Sequence, residues 1–148
     1  IIQPDFIRVH ATGIKLESKL GEFVRDGSFT LQSEEEIVIE QKLFLQQLHE
    51  MDSYYVNEHI VNLLLEVRGN LRTEKQEMLS TIDRFLTLPP DERLLFNVGR
   101  RLNIFFRLDD LKKPKLHQKA GESLQQILSK NPHVDFAALC NYVRQSQI

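Results

Sequence analysis

Asp52-Ser53-Tyr54-Tyr55-Val56-Asn57-Glu58-His59-Ile60-Val61-Asn62-Leu63-Leu64-Leu65-Glu66-Val67 is the stretch on which the fold of this chain turns. Its apolar positions, Tyr55, Val56, Ile60, Val61, Leu63, Leu64 and Val67, recur at helical spacing and cover most of a helix's girth. Asp52-Ser53 offers an N-cap, and Arg68-Gly69-Asn70 supplies the residues tolerant of left-handed backbone that end helices. The stretch therefore predicts a central helix, the most buried element of the molecule.

Working outward, the same periodicity recurs on both sides. Upstream, Ser33 followed by Glu36 forms a capping box, and Glu34, Glu35 and Glu36 complement the positive helix end. A helix carrying Ile37, Val38, Phe44, Leu45, Leu48 and Met51 is expected to start there. Before it, Phe6 to Arg25 reads as one amphipathic helix closed by Asp26-Gly27-Ser28, with Gly13 as a place where it can break. Downstream, Thr73 and Gln76 offer a second capping box for a helix through Met78, Leu79, Ile82, Phe85 and Leu86. Pro89-Pro90 ends it and opens the fifth helix, which carries Leu94, Leu95, Val98, Leu102, Phe105 and Phe106. Leu108 to Lys119 reads as one long polar connection. A helix with Ala120, Leu124, Ile127 and Leu128 follows it, and the last is capped by Asp135 and lined by Phe136, Leu139, Cys140 and Val143. The expected fold is all-α: an antiparallel helical bundle or short helical-repeat-like stack of about seven helices. A length of 148 residues suits one domain, so residues 1–148 are read as a single helical domain, and a start at Ile1-Ile2 suggests one excised from a larger protein.

Composition narrows the function classes. One cysteine, Cys140, excludes an internal disulfide and a multi-thiolate zinc site, and its place on an apolar helix face marks it as core. With no membrane-length apolar run, the expected location is intracellular, cytoplasmic or nuclear, with no membrane partner. The five histidines, His10, His49, His59, His117 and His133, show neither metal-ligand spacing nor the Arg-to-His spacing of helical nucleases. The glycines never cluster into a phosphate-cradling loop, and no Gly-x-Ser-x-Gly elbow is present. The expectation is a protein without enzymatic activity, metal or cofactor.

The strongest local signal is basic. Residues 1–66 hold 5 of the chain's 19 Lys/Arg and 12 of its 21 Asp/Glu, leaving 14 and 9 to residues 67–148. Between Arg93 and Lys119 eight cations face only Asp109 and Asp110. Arg100, Arg101, Phe105, Arg107, Lys112, Lys113 and Lys115, with Tyr54, are the candidate partner-binding residues, set in a groove beside the fifth helix. The corresponding function is a scaffold or adaptor module, a subunit of a complex that binds another polypeptide such as one with an acidic motif. Nucleic-acid binding through residues 93–119 is the first alternative. The second is homodimerisation through Val38, Ile39, Leu43, Phe44 and Leu45. Against both readings of the basic stretch stands a plainer role for the cations: pairing with Glu34 to Glu36, Glu40 and Glu50 inside the fold.

Overall fold

A computed structural model describes residues 4–49 and 51–146 of the chain. The described residues form six α-helices and three short strands: β1 (Phe6–Arg8), α1 (Lys19–Arg25), α2 (Glu34–Gln47), β2 (Tyr54–Val56), β3 (Gly69–Asn70), α3 (Lys75–Leu86), α4 (Pro90–Arg101), α5 (Pro114–Lys130) and α6 (Phe136–Gln145). A 3-10 turn, Leu108–Lys112, precedes α5. The protein is mostly helical, with a small sheet in place of the expected all-helical bundle.

Where local signals were complete, the helices follow them. Ser33 and Glu36 make the reciprocal capping box of α2, Pro90 occupies the first turn of α4, and the Asp135 side chain accepts from Ala138 N at the start of α6. The second capping box does not form. The carboxylate of Glu74 accepts from Asn70 N, and Asn70 Oδ1 accepts from Arg72 N and Thr73 N, so an Asx turn leads the chain into α3.

The stretch 52–67 is not a helix. Tyr54–Val56 is the middle strand of a sheet ordered β1-β2-β3, parallel to β1 and antiparallel to β3. Strand alternation turns Tyr54 outward and Tyr55 inward, at 39% and 0% exposure. Ser53, expected as a helix cap, donates its hydroxyl to the Pro4 carbonyl. Residues 57–68 form a buried loop whose carbonyls are taken by side chains from elsewhere. Arg100 donates to the carbonyls of Ile60, Asn62 and Leu63, and Arg101 donates to that of Val61. Asn57 Nδ2 donates to Leu64 O within the loop, and Asn62 bridges to Val9 O and Ala11 N. These bonds replace the i→i−4 ladder that a helix would need, as buried backbone polar groups require.

The first run is also not one helix. It is β1, then extended chain past Gly13, then α1, whose N-cap Ser18 accepts from Gly21 N. A Cβ on Gly13 would stand 3.0 Å from Gln145 N, so the break lies where this segment crosses the end of α6.

The central element is α4, in which every residue from Leu95 to Arg101 is buried. It ends at Arg101 instead of running to Phe106, because Asn103 turns the chain through φ 57° and Ile104 N donates to Gly99 O. The turn lays Phe105 over Gly99, where an added Cβ would come within 2.3 Å of the ring. Phe85, Phe96 and Phe105 form an aromatic row with centroids 5.8 and 5.9 Å apart. The expected polar connection 108–119 is mostly helical, comprising the 3-10 turn and the first turns of α5. The charge asymmetry is partly spent internally: Arg101 pairs with Glu34, Arg93 with Glu35 and Lys42 with Asp83. Glu50, named with those acids, lies outside the described residues.

Candidate functional site

The expected groove beside the fifth helix exists in altered form. Arg100, Arg101 and Phe105 do not line it, being 1%, 4% and 0% exposed. Arg100 is a structural clasp whose guanidinium spans four carbonyls, those of Ile60, Asn62, Leu63 and Phe105. Burial pulls its pKa down to about 10, still charged at neutral pH. Arg101 forks onto Glu34 at 2.9 and 2.7 Å. The sequence makes these two arginines look like surface cations; apart from the Phe105 carbonyl, their partners lie 37 to 67 residues away in the chain.

What remains outside is an open groove of about 510 Å³ between the turn after α4 and the first half of α5. Phe106, half exposed, forms part of it, and Arg100 lies 5.8 Å from the ring centroid on the inner side. Arg107, Lys113 and Lys119 stand around it with Ile104, Leu116 and the carboxylate of Asp110. That carboxylate is already occupied, accepting from Phe106 N, Arg107 N and Lys113 Nζ. Burial pushes its pKa up, but Lys113 and the two backbone amides outweigh that and hold it below the usual range. Among the described residues the side chains of Arg107 and Lys119 enter no ion pair.

The other expected site residues are dispersed. Lys112 is exposed and paired with Asp109, which also takes Arg84. Lys115 is exposed on the first turn of α5. Tyr54 lies on β2 with its ring against Phe6, outside the groove. Phe106, Leu116 and Lys119 also line the groove: Lys119 closes the basic stretch, Phe106 is the exposed member of the Phe105-Phe106 pair, and Leu116 carried no signal in the sequence.

A second cavity, of about 460 Å³, opens between the 9–14 segment, the 29–32 loop and α2. Its lining includes the apolar Leu20, Phe29 and Phe44 and the polar Asn57, Asn62, Asn141 and Arg144. Asn141 holds the segment in place by donating to Ile14 O and accepting from Ile14 N. His10, which also lines it, lies tilted against His59 at a centroid distance of 4.4 Å. Among the described residues no group of three or more His, Cys, Asp or Glu is placed to hold a metal, and no helix is long and apolar enough to cross a membrane. Cys140 is buried, and burial pushes its thiol up to about 12, far from a reactive thiolate.

Comparison with family models, with curated proteins and with solved structures gives no match.

Proposed function

We propose that the protein is a non-catalytic interaction module that binds an acidic segment of another polypeptide in the groove after α4. The observation that supports this reading is the pairing of a half-exposed aromatic ring, Phe106, with two cations that enter no ion pair among the described residues, Arg107 and Lys119, while the lining carboxylate, Asp110, is taken by the turn and by Lys113. An aromatic anchor ringed by cations suits a peptide that presents an apolar side chain flanked by carboxylates. The scaffold beneath is rigid, because Arg100 ties the turn at Phe105 to the buried loop at Ile60–Leu63.

The test is fluorescence anisotropy with a labelled peptide of four glutamates around one leucine, beside its all-glutamine counterpart and a single-stranded oligonucleotide. The acidic peptide is expected to bind at least tenfold tighter than the glutamine form. The double variant Arg107→Glu, Lys119→Glu, altering two exposed side chains, is expected to abolish binding with the melting temperature nearly unchanged. Equal affinity for the two peptides refutes the reading. Preference for the oligonucleotide, with affinity falling steeply as salt rises, moves the site to nucleic acid.

A second reading, self-association through α2, is favoured by Ile39 and Leu43, one turn apart and 45% and 55% exposed. Val38 and Leu45, grouped with them from the sequence, face the core. Sedimentation across a concentration range tests it: a mass that rises with concentration and falls back to monomer in Leu43→Lys supports the dimer, and a constant monomer mass excludes it.

A further inference from the structure

The cavity beside α2 is a second site with a chemistry of its own. Most of its polar lining is satisfied within the protein. Asn57, Asn62 and Asn141 bond to backbone groups, Gln41 Nε2 donates to the Tyr55 hydroxyl, and Gln32 Nε2 donates to Glu40. Arg144 is the exception. It is 2% exposed, yet among the described residues its Nε and Nη1 have no hydrogen-bond partner. The carboxylate of Glu34 already takes two bonds from Arg101 and stands 3.8 Å from Arg144 Nε. One buried carboxylate thus serves two buried guanidinia, which leaves a single positive charge without its own counter-ion among the described residues. Burial of such a charge is costly unless an anion or a set of acceptors completes it.

Much of the remaining lining is apolar. Leu20, Phe29 and Phe44 are each partly exposed and frame it, while Ile37, Val38 and Leu63 continue the wall inward. The volume falls within the range of roughly 300–1,000 Å³ usual for small-molecule sites. One half-neutralised guanidinium in the lining matches a single negative charge. A phosphate dianion would bring a second negative charge into a lining that already includes Glu40.

We propose that this cavity binds a small amphipathic carboxylic acid as its anion, with the carboxylate accepting from Arg144 and the apolar body lying between Leu20, Phe29 and Phe44. The site is separate from the groove after α4 and stands or falls independently of it.

Isothermal titration with octanoate tests the assignment, with octan-1-ol as the neutral analogue of equal length and octylamine as the cationic one. Octanoate is expected to bind one to one and saturably, at least tenfold tighter than either analogue. Arg144→Gln is expected to weaken octanoate at least tenfold and leave octanol unchanged. Because Arg144 is buried, a second variant is needed in case that one does not fold. Leu20→Trp fills the mouth from a partly exposed position, and is expected to keep the parent's circular dichroism and melting while losing octanoate at least tenfold. Octanol binding as tightly as octanoate, no octanoate heat at millimolar concentration, or an undiminished affinity in Leu20→Trp each overturns the proposal. Arg107→Glu, Lys119→Glu is expected to bind octanoate as the parent does.

Discussion

Glu34→Gln is the substitution that most directly tests the account of the interior. Glu34 and Arg101 are joined by two hydrogen bonds of 2.9 and 2.7 Å, with side-chain exposures of 2% and 3%. Glutamine preserves shape and one acceptor but removes the carboxylate that, among the described residues, pairs with both Arg101 and Arg144. Removing one charge from a buried pair costs about 3–5 kcal/mol, since the remaining ion keeps its desolvation penalty. The retained acceptor pulls toward the lower end, and the second stranded guanidinium toward the upper. For a domain of this size about 1 kcal/mol shifts the melting temperature by about 2–4 °C, so a fall on the order of 10 °C is expected. Urea unfolding monitored by circular dichroism gives the free energy directly. Asp109→Asn is the control: its pairs with Arg84 and Lys112 are exposed, and its loss should cost no more than about 1 kcal/mol. In a double-mutant cycle with Arg101→Met, the pair of changes should cost at least about 1 kcal/mol less than the sum of the single ones. A Glu34→Gln protein within about 1 kcal/mol of the parent would show that the buried pair does not hold the interior as argued.

Arg100→Lys keeps the charge but not a fork that reaches four carbonyls, so a loss of about 2–4 kcal/mol is expected. Hydrogen exchange should quicken across 57–68 while α2 stays protected, and uniform exchange would refute the clasp. Burial raises the Glu66 carboxyl above its ordinary 4.5, with the Leu108 N–H pulling the other way. The stability it contributes is therefore fully present below that ordinary value and is lost as the pH rises through the raised one. Glu66→Gln keeps an acceptor for Leu108 N, so urea melts should show it gaining on the parent as the pH rises above the ordinary 4.5, and a gain independent of pH would refute this. Cys140, with its thiol pushed up to about 12 by burial, should react with a disulfide reagent in the native protein only as fast as the protein opens. Prompt stoichiometric labelling would contradict that placement.

Helices whose signals are local were legible in the sequence. Ser33-x-x-Glu36 before α2 and Asp135 before α6 satisfy orphan amides within a few residues, and Pro90 at the start of α4 removes one by lacking an N–H, so no distant partner is needed. The burial of Cys140 and the role of part of the basic stretch as partners of Glu34 and Glu35 were also within reach of pattern and charge. The 52–67 segment was not. Its periodicity is helical, but Arg100 and Arg101 take successive carbonyls from Ile60 to Leu63, and Asn62 ties it to Val9 and Ala11. Those donors arrive from α4 only once the chain has folded. The same fact removed two arginines from the expected binding groove and left Phe106, Arg107, Lys113 and Lys119 to form it. Arg144 shows the division most sharply: in sequence it is an ordinary cation in the last turn of a helix, and only the tertiary structure shuts it away beside a carboxylate that another guanidinium already holds. Local chemistry determined where most helices begin, and long-range satisfaction of buried polar groups determined which apolar segment would not become one.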